Sequence, residues 1–95
     1  MKNNKITLEE FWNSKKKLAI HCNTEEKAIK LLKEFDKLGK RWLCKNSYLE
    51  SNYWEANKEN TCYNNSNQYG DIIWYKHKKY KIYEFDNVIF EKLEK

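Results

Sequence analysis

The sequence predicts an α+β fold: one main helix packed on a small, mostly antiparallel sheet, in the order β-α-β-β-β-β, with a short N-terminal helix in front. Three observations lead there. One stretch, residues 24–38, repeats its apolar residues at helical spacing. Around it lie short apolar runs punctuated by Asn- and Lys-rich turns. The chain has 95 residues, one domain's worth, and is read as a single domain spanning residues 1–95.

The elements follow in order. Thr7 can cap a short helix, with Glu10 three residues on to close a capping box and Leu8, Phe11 and Trp12 as its apolar stripe. Lys15–Lys17 lead into a strand at Leu18–Cys22, where Leu18, Ile20 and Cys22 share one face and Ala19 and His21 the other. Asn23 or Thr24 caps the main helix, Glu25 and Glu26 suit its first turn, and Ala28, Leu31, Leu32, Phe35 and Leu38 form its buried stripe. Gly39 ends it.

Arg41–Cys44 reads as a second strand, and residues 45–60 as a polar loop with room for one helical turn. Thr61–Tyr63 is a short strand, followed by turn chemistry at Asn64–Asn67. Tyr69–Tyr75 reads as a longer strand, Lys76–Lys79 as a polar reversal and Tyr80–Phe85 as the returning strand. Val88–Phe90 is a last apolar patch, and the charged tail EKLEK is expected to fray.

Composition removes several classes. With 40% hydrophobic and 35% charged residues and 15 aromatics, the chain is globular and not disordered. No apolar run approaches the roughly 20 residues of a membrane helix. The N-terminus MKNNKITLEEFW lacks the apolar core of a signal peptide. A cytoplasmic protein with no membrane partner is therefore expected.

The net charge of +5 invites an anionic partner, but 18 of the 19 cations are Lys and only Arg41 is Arg. With 12 Asn, seven Tyr, two Gly and no Pro, the composition also has the stamp of AT-rich coding. Cys22, Cys44 and Cys62 form no CxxC or CxH pair, so reduced thiols are expected, with no metal site and no disulfide.

Catalytic motifs are missing. There is no GxSxG, no phosphate-cradling glycine loop, and His21 and Cys22 would face opposite sides of a strand. A non-enzyme without cofactors is expected.

The aromatic surplus is the most informative feature. Phe35, Trp42, Trp74, Phe85 and Phe90 are expected to fill much of the small interior. Tyr48, Tyr53, Trp54, Tyr63, Tyr69, Tyr75, Tyr80 and Tyr83 cannot all join them. They are either half-buried with the hydroxyl in water or part of a binding site. The candidate ligand-binding residues are Arg41, Tyr53, Trp54, Asn60, Tyr63 and Tyr69, which combine stacking rings with an amide and a cation.

The succession TLEEFW, AIHC with TEE, Trp42, ENTCY, Tyr69-Gly70 and YKIYEF resembles a group of short phage and prophage proteins of low-GC Gram-positive bacteria. The resemblance covers nearly the whole chain. It implies a counter-defence role: sequestration of an anionic nucleotide-type immune signal, in a homo-oligomer within the host cytoplasm. The alternatives are an inhibitor of a host defence protein, in the manner of anti-CRISPR proteins, and a small nucleic-acid-binding regulator.

Overall fold

The computed structural model describes residues 5–90, and the C-terminal tail EKLEK lies outside them. Ile6–Thr7 form β1, and Thr7 caps helix α1, Leu8–Asn13. The capping box closes as expected: Thr7 Oγ1 accepts the Glu10 N–H at 3.1 Å, and Glu10 Oε1 accepts the Thr7 N–H at 3.0 Å.

Strand β2, Leu18–Cys22, leads into helix α2, Glu25–Lys37. Thr24 Oγ1 accepts the Lys27 N–H, and Gly39 (φ +80°) closes the far end while the Lys40 N–H donates to Phe35 O. A single helical turn, α3 (Trp54–Asn57), and a 3-10 turn, Lys58–Asn60, precede β3, Thr61–Asn64. Then come β4 (Tyr69–Asp71), helix α4 (Ile72–His77), β5 (Lys81–Glu84), a 3-10 turn Phe85–Asn87 and β6 (Val88–Ile89).

The fold is α+β, with a four-stranded sheet in the order β4-β3-β2-β5. Its β4–β3 and β3–β2 pairings are antiparallel, and its β2–β5 pairing is parallel, with Leu18 opposite Lys81. A second, two-stranded parallel sheet joins β1 to β6, Ile6 opposite Val88.

Three sequence expectations are corrected. Arg41–Cys44 is not a strand. Arg41 makes a lone bridge to Ser47, and the chain curls tightly between them, the Lys45 N–H donating to Trp42 O at 2.7 Å with Lys45 at φ +75°. The predicted strand Tyr69–Tyr75 stops at Asp71, whose carboxylate accepts the Ile73 N–H at 2.7 Å and starts a helix instead. What reads as a reversal at Lys76–Lys79 is the end of that helix. Lys79 takes φ +65°, and the Tyr80 N–H donates to Tyr75 O.

The aromatic division also changes. Trp74 is 49% exposed, and Phe85 and Phe90 only flank the core, whereas Tyr48, Tyr63 and Tyr75 are fully buried and Trp54 is buried. The helical turn at Ile72–His77 explains the exchange, because Tyr75 faces inward and Trp74 outward.

The sheet is covered on both sides. Leu18, Ile20 and Cys22 pack with Ala28, Leu31, Leu32 and Phe35 of α2, while Ala19 packs with Cys62 of β3 and Tyr75 of α4. A central strand covered on both faces reads as continuously apolar, as LAIHC does. His21 is its polar exception, with Nδ1 2.7 Å from Glu84 Oε1 and Nε2 2.7 Å from the Glu59 carbonyl. The imidazole thus ties β2 to β5 and to the turn before β3.

Candidate functional site

An open groove of about 690 Å³ lies between the 41–46 loop, the β3–β4 hairpin and α4. Trp42, Leu43 and Cys44 come from the loop, and Tyr53 from the turn before α3. Asn67 to Asp71 come from the hairpin, and Trp74 and Tyr75 from α4.

Local bonds hold these walls together. The Leu43 N–H donates to Asn67 O at 2.9 Å, and Asn67 Nδ2 donates to Arg41 O at 2.6 Å, fastening loop to hairpin. The Trp42 indole N–H donates to Ser51 O at 3.0 Å. The hairpin turn is organised by Asn64, whose Oδ1 accepts the N–H groups of Ser66 and Gln68, both at 2.9 Å. Gly70 has a steric reason to be glycine, since a Cβ there would meet Tyr75 Cε2 at 3.2 Å.

Aromatic rings set the groove's character. Tyr53 and Tyr69 stack with centroids 4.4 Å apart and planes 3° from parallel. Trp42 meets both edge-on, at 4.9 and 5.8 Å. Trp74 presents an exposed indole on the opposing helix, with Leu43 and Ile73 also standing out to solvent.

The polar complement is small. The Gln68 carboxamide makes no hydrogen bond among the described residues, and Asp71 is the one formal charge in the lining. Cations stand at the margin. Lys78 Nζ lies 5.7 Å from the Trp74 ring centroid, and Arg41 is exposed on the residue before Trp42.

Of the six residues singled out from sequence, the groove brings together Tyr53 and Tyr69. Arg41 sits beside it through its carbonyl bond to Asn67. Trp54 packs in the main core, and Tyr63 is fully buried with its hydroxyl donating to Asn52 O. Asn60 is exposed in the 3-10 turn and does not line the groove. Sequence reasoning assigned both Trp42 and Trp74 to the interior. Trp42 is buried there, at 4% exposed, while also lining the groove, and Trp74 is the one misplaced. The signal for Trp74 was Asp71, a helix cap placed three residues ahead of it.

The three cysteines are free, and only Cys44 is exposed. Burial pushes the Cys62 thiol up to about 12, and that of Cys22 higher still. Both therefore remain neutral thiols at neutral pH, and Cys44, exposed in the groove wall, is the thiol that a reagent in solution can reach. Iodoacetamide on the folded protein is expected to add a single label, at Cys44, and three labels in denaturant, read by mass spectrometry. Labelling of Cys22 or Cys62 in the folded state would contradict the packing of the sheet.

No cluster of three or more His, Cys, Asp or Glu side chains able to hold a metal occurs among the described residues. None of their helices is long and apolar enough to cross a membrane. No protein-family model matches the chain, and neither curated proteins nor solved structures give a match.

Proposed function

We propose that the protein is a non-enzymatic binding protein that sequesters a nucleotide-type signalling molecule, its flat base seated in the Trp42–Tyr53–Tyr69–Trp74 groove. The stacked Tyr53–Tyr69 pair carries this reading, because it offers a planar, apolar wall of the kind on which a nucleobase stacks. The free carboxamide of Gln68 and the carboxylate of Asp71 supply an acceptor and donor set for a base edge. Phosphates stay at the margin, near Arg41 and Lys78, and away from Asp71. The resemblance to phage and prophage proteins supplies the setting: counter-defence in the host cytoplasm, by a homo-oligomer.

The test is a binding measurement on Trp74→Ala. This ring is half exposed, so its removal leaves the core intact. Loss of one stacking partner is worth about 1–3 kcal/mol, so affinity for the best nucleotide is expected to fall roughly tenfold or more. Full affinity in a folded Trp74→Ala protein would remove the groove from the account.

A second reading is favoured by one observation: no cation lines the groove, while Leu43 and Ile73 are exposed beside Trp74 at 63% and 65%. An aromatic cluster with a polar rim and no cationic lining also suits a protein hot spot. Under that reading the ligand is a host defence protein. The two separate by co-purification of a host protein with no response to any nucleotide.

A further inference from the structure

We infer that the end of the sheet where β2 and β5 begin is a backbone-binding surface for single-stranded nucleic acid, continuous with the groove through α4. The observation is a convergence that chain order hides. Lys15–Lys17 precede β2, and Lys76, Lys78, Lys79 and Lys81 surround the start of β5, about 60 residues later. Parallel pairing of the two strands sets these runs side by side, with Leu18 opposite Lys81 and the Lys81 N–H donating to Lys17 O at 3.0 Å.

All seven lysines are exposed, and none forms a salt bridge among the described residues. A group of carboxylates stands at the opposite end. Glu84 closes β5, Glu59 precedes β3, and Glu25 and Glu26 open α2 directly after β2. AT-rich coding accounts for how many lysines the chain has. It does not account for the side-by-side placing of these two runs by the β2–β5 pairing, where they repel one another until an anion neutralises them.

Rings alternate with these cations. Lys17 Nζ lies 5.9 Å from the Tyr80 ring, Lys81 Nζ 5.3 Å from Tyr83, and Lys78 Nζ 5.7 Å from Trp74. Trp74 belongs to both regions, as a groove wall and as the neighbour of Lys78. Trp74 is exposed while Tyr80 and Tyr83 are half-buried, so this cationic track offers a single strand lysines for its phosphates and the Trp74 ring for a base. A duplex would keep its bases stacked away from Trp74. The inference rests on the ring-binding reading of the groove for the bases, and on the lysines alone for the backbone.

The experiment measures anisotropy of a fluorescein-labelled oligothymidylate of about 12 nucleotides across a salt series. If about five lysines engage phosphates, affinity falls with a log–log slope of about −3.5, roughly a hundredfold between 50 and 200 mM salt. The triple variant Lys15→Gln, Lys16→Gln, Lys79→Gln touches only exposed side chains, and it is expected to reduce that slope by about 2. Melting shifts with mononucleotides are then unchanged in the same variant.

An unchanged slope in the triple variant would overturn the proposal. So would failure to bind the oligonucleotide at low salt, or equal affinity for a duplex of the same length. Binding of mononucleotides without the oligonucleotide sinks this surface and leaves the groove reading intact. Lysine-dependent binding of the oligonucleotide without any mononucleotide response does the reverse.

Discussion

Phe35→Ala is expected to lower stability by about 3–5 kcal/mol, the cost of deleting a fully buried aromatic ring. Phe35 faces the sheet from α2 and is the ring around which distant parts of the chain meet. It stacks on Phe11 at 5.9 Å, and it takes the edges of Trp12 at 4.9 Å and Tyr48 at 5.2 Å. Phe11 and Trp12 come from the N-terminal helix and Tyr48 from the long polar loop, so one truncation loosens three segments. A domain of this size has about 5–14 kcal/mol in total, so the variant is expected to melt some 15–30 °C lower, followed by circular dichroism. Phe35→Leu, which keeps most of the volume, is expected to lose far less. A loss under about 1 kcal/mol in Phe35→Ala would contradict the gathering of rings around it.

Asn65→Ala is expected to cost about 2–3 kcal/mol, although the residue sits in a hairpin turn. Its Nδ2 donates to Phe11 O at 3.1 Å and to Lys16 O at 3.0 Å, and its Oδ1 accepts the Leu18 N–H at 3.4 Å. Its own N–H donates to Leu18 O at 3.1 Å. One side chain therefore binds the end of α1, the lysine run and the first residue of β2 to the β3–β4 turn. Asn65→Asp discriminates the cause. It keeps size but replaces the donor with an anionic oxygen facing two carbonyls, so it is expected to be at least as destabilising as alanine. Near-native melting of Asn65→Asp would show that the amide does not bridge those carbonyls.

What was legible in the sequence is what is encoded locally. The Thr7–Glu10 capping box, helix α2 with Thr24 at its start and Gly39 at its end, and the Asn-rich turn after Tyr63 all fell where short-range chemistry places them. The α+β class followed from these. Less legible was YGDIIWYKHKKYKIYEF, whose β-branched and aromatic residues suit two strands around a reversal. Asp71 caps a helix there instead, and that helix carries the chain over the sheet so that β5 pairs with β2 in parallel. Pairing across 60 residues of sequence leaves no trace in local periodicity.

The groove shares that limit. Tyr53 and Tyr69 could be named because they sit among turn residues, but Trp74 could not, and Trp42, buried as expected, gave no sign that it also lines a groove. Both depend on how the 41–46 loop and α4 meet the hairpin. Tyr63 and Trp54 went the other way, into the core, because a domain with one main helix needs every large ring available to close its interior.

Four tryptophans make the central claim directly measurable, since each indole N–H gives its own resonance. Trp42 and Trp74 line the groove, Trp12 lies under Lys40 at 4.9 Å, and Trp54 is in the core. The ¹H–¹⁵N spectrum would be titrated with cyclic dinucleotides, cyclic trinucleotides, NAD and ADP-ribose. With the ligand that binds, the Trp74 and Trp42 indole signals are expected to move together while those of Trp12 and Trp54 stay in place. Four indole signals unmoved by every nucleotide, or movement confined to Trp12, would contradict a base-binding groove.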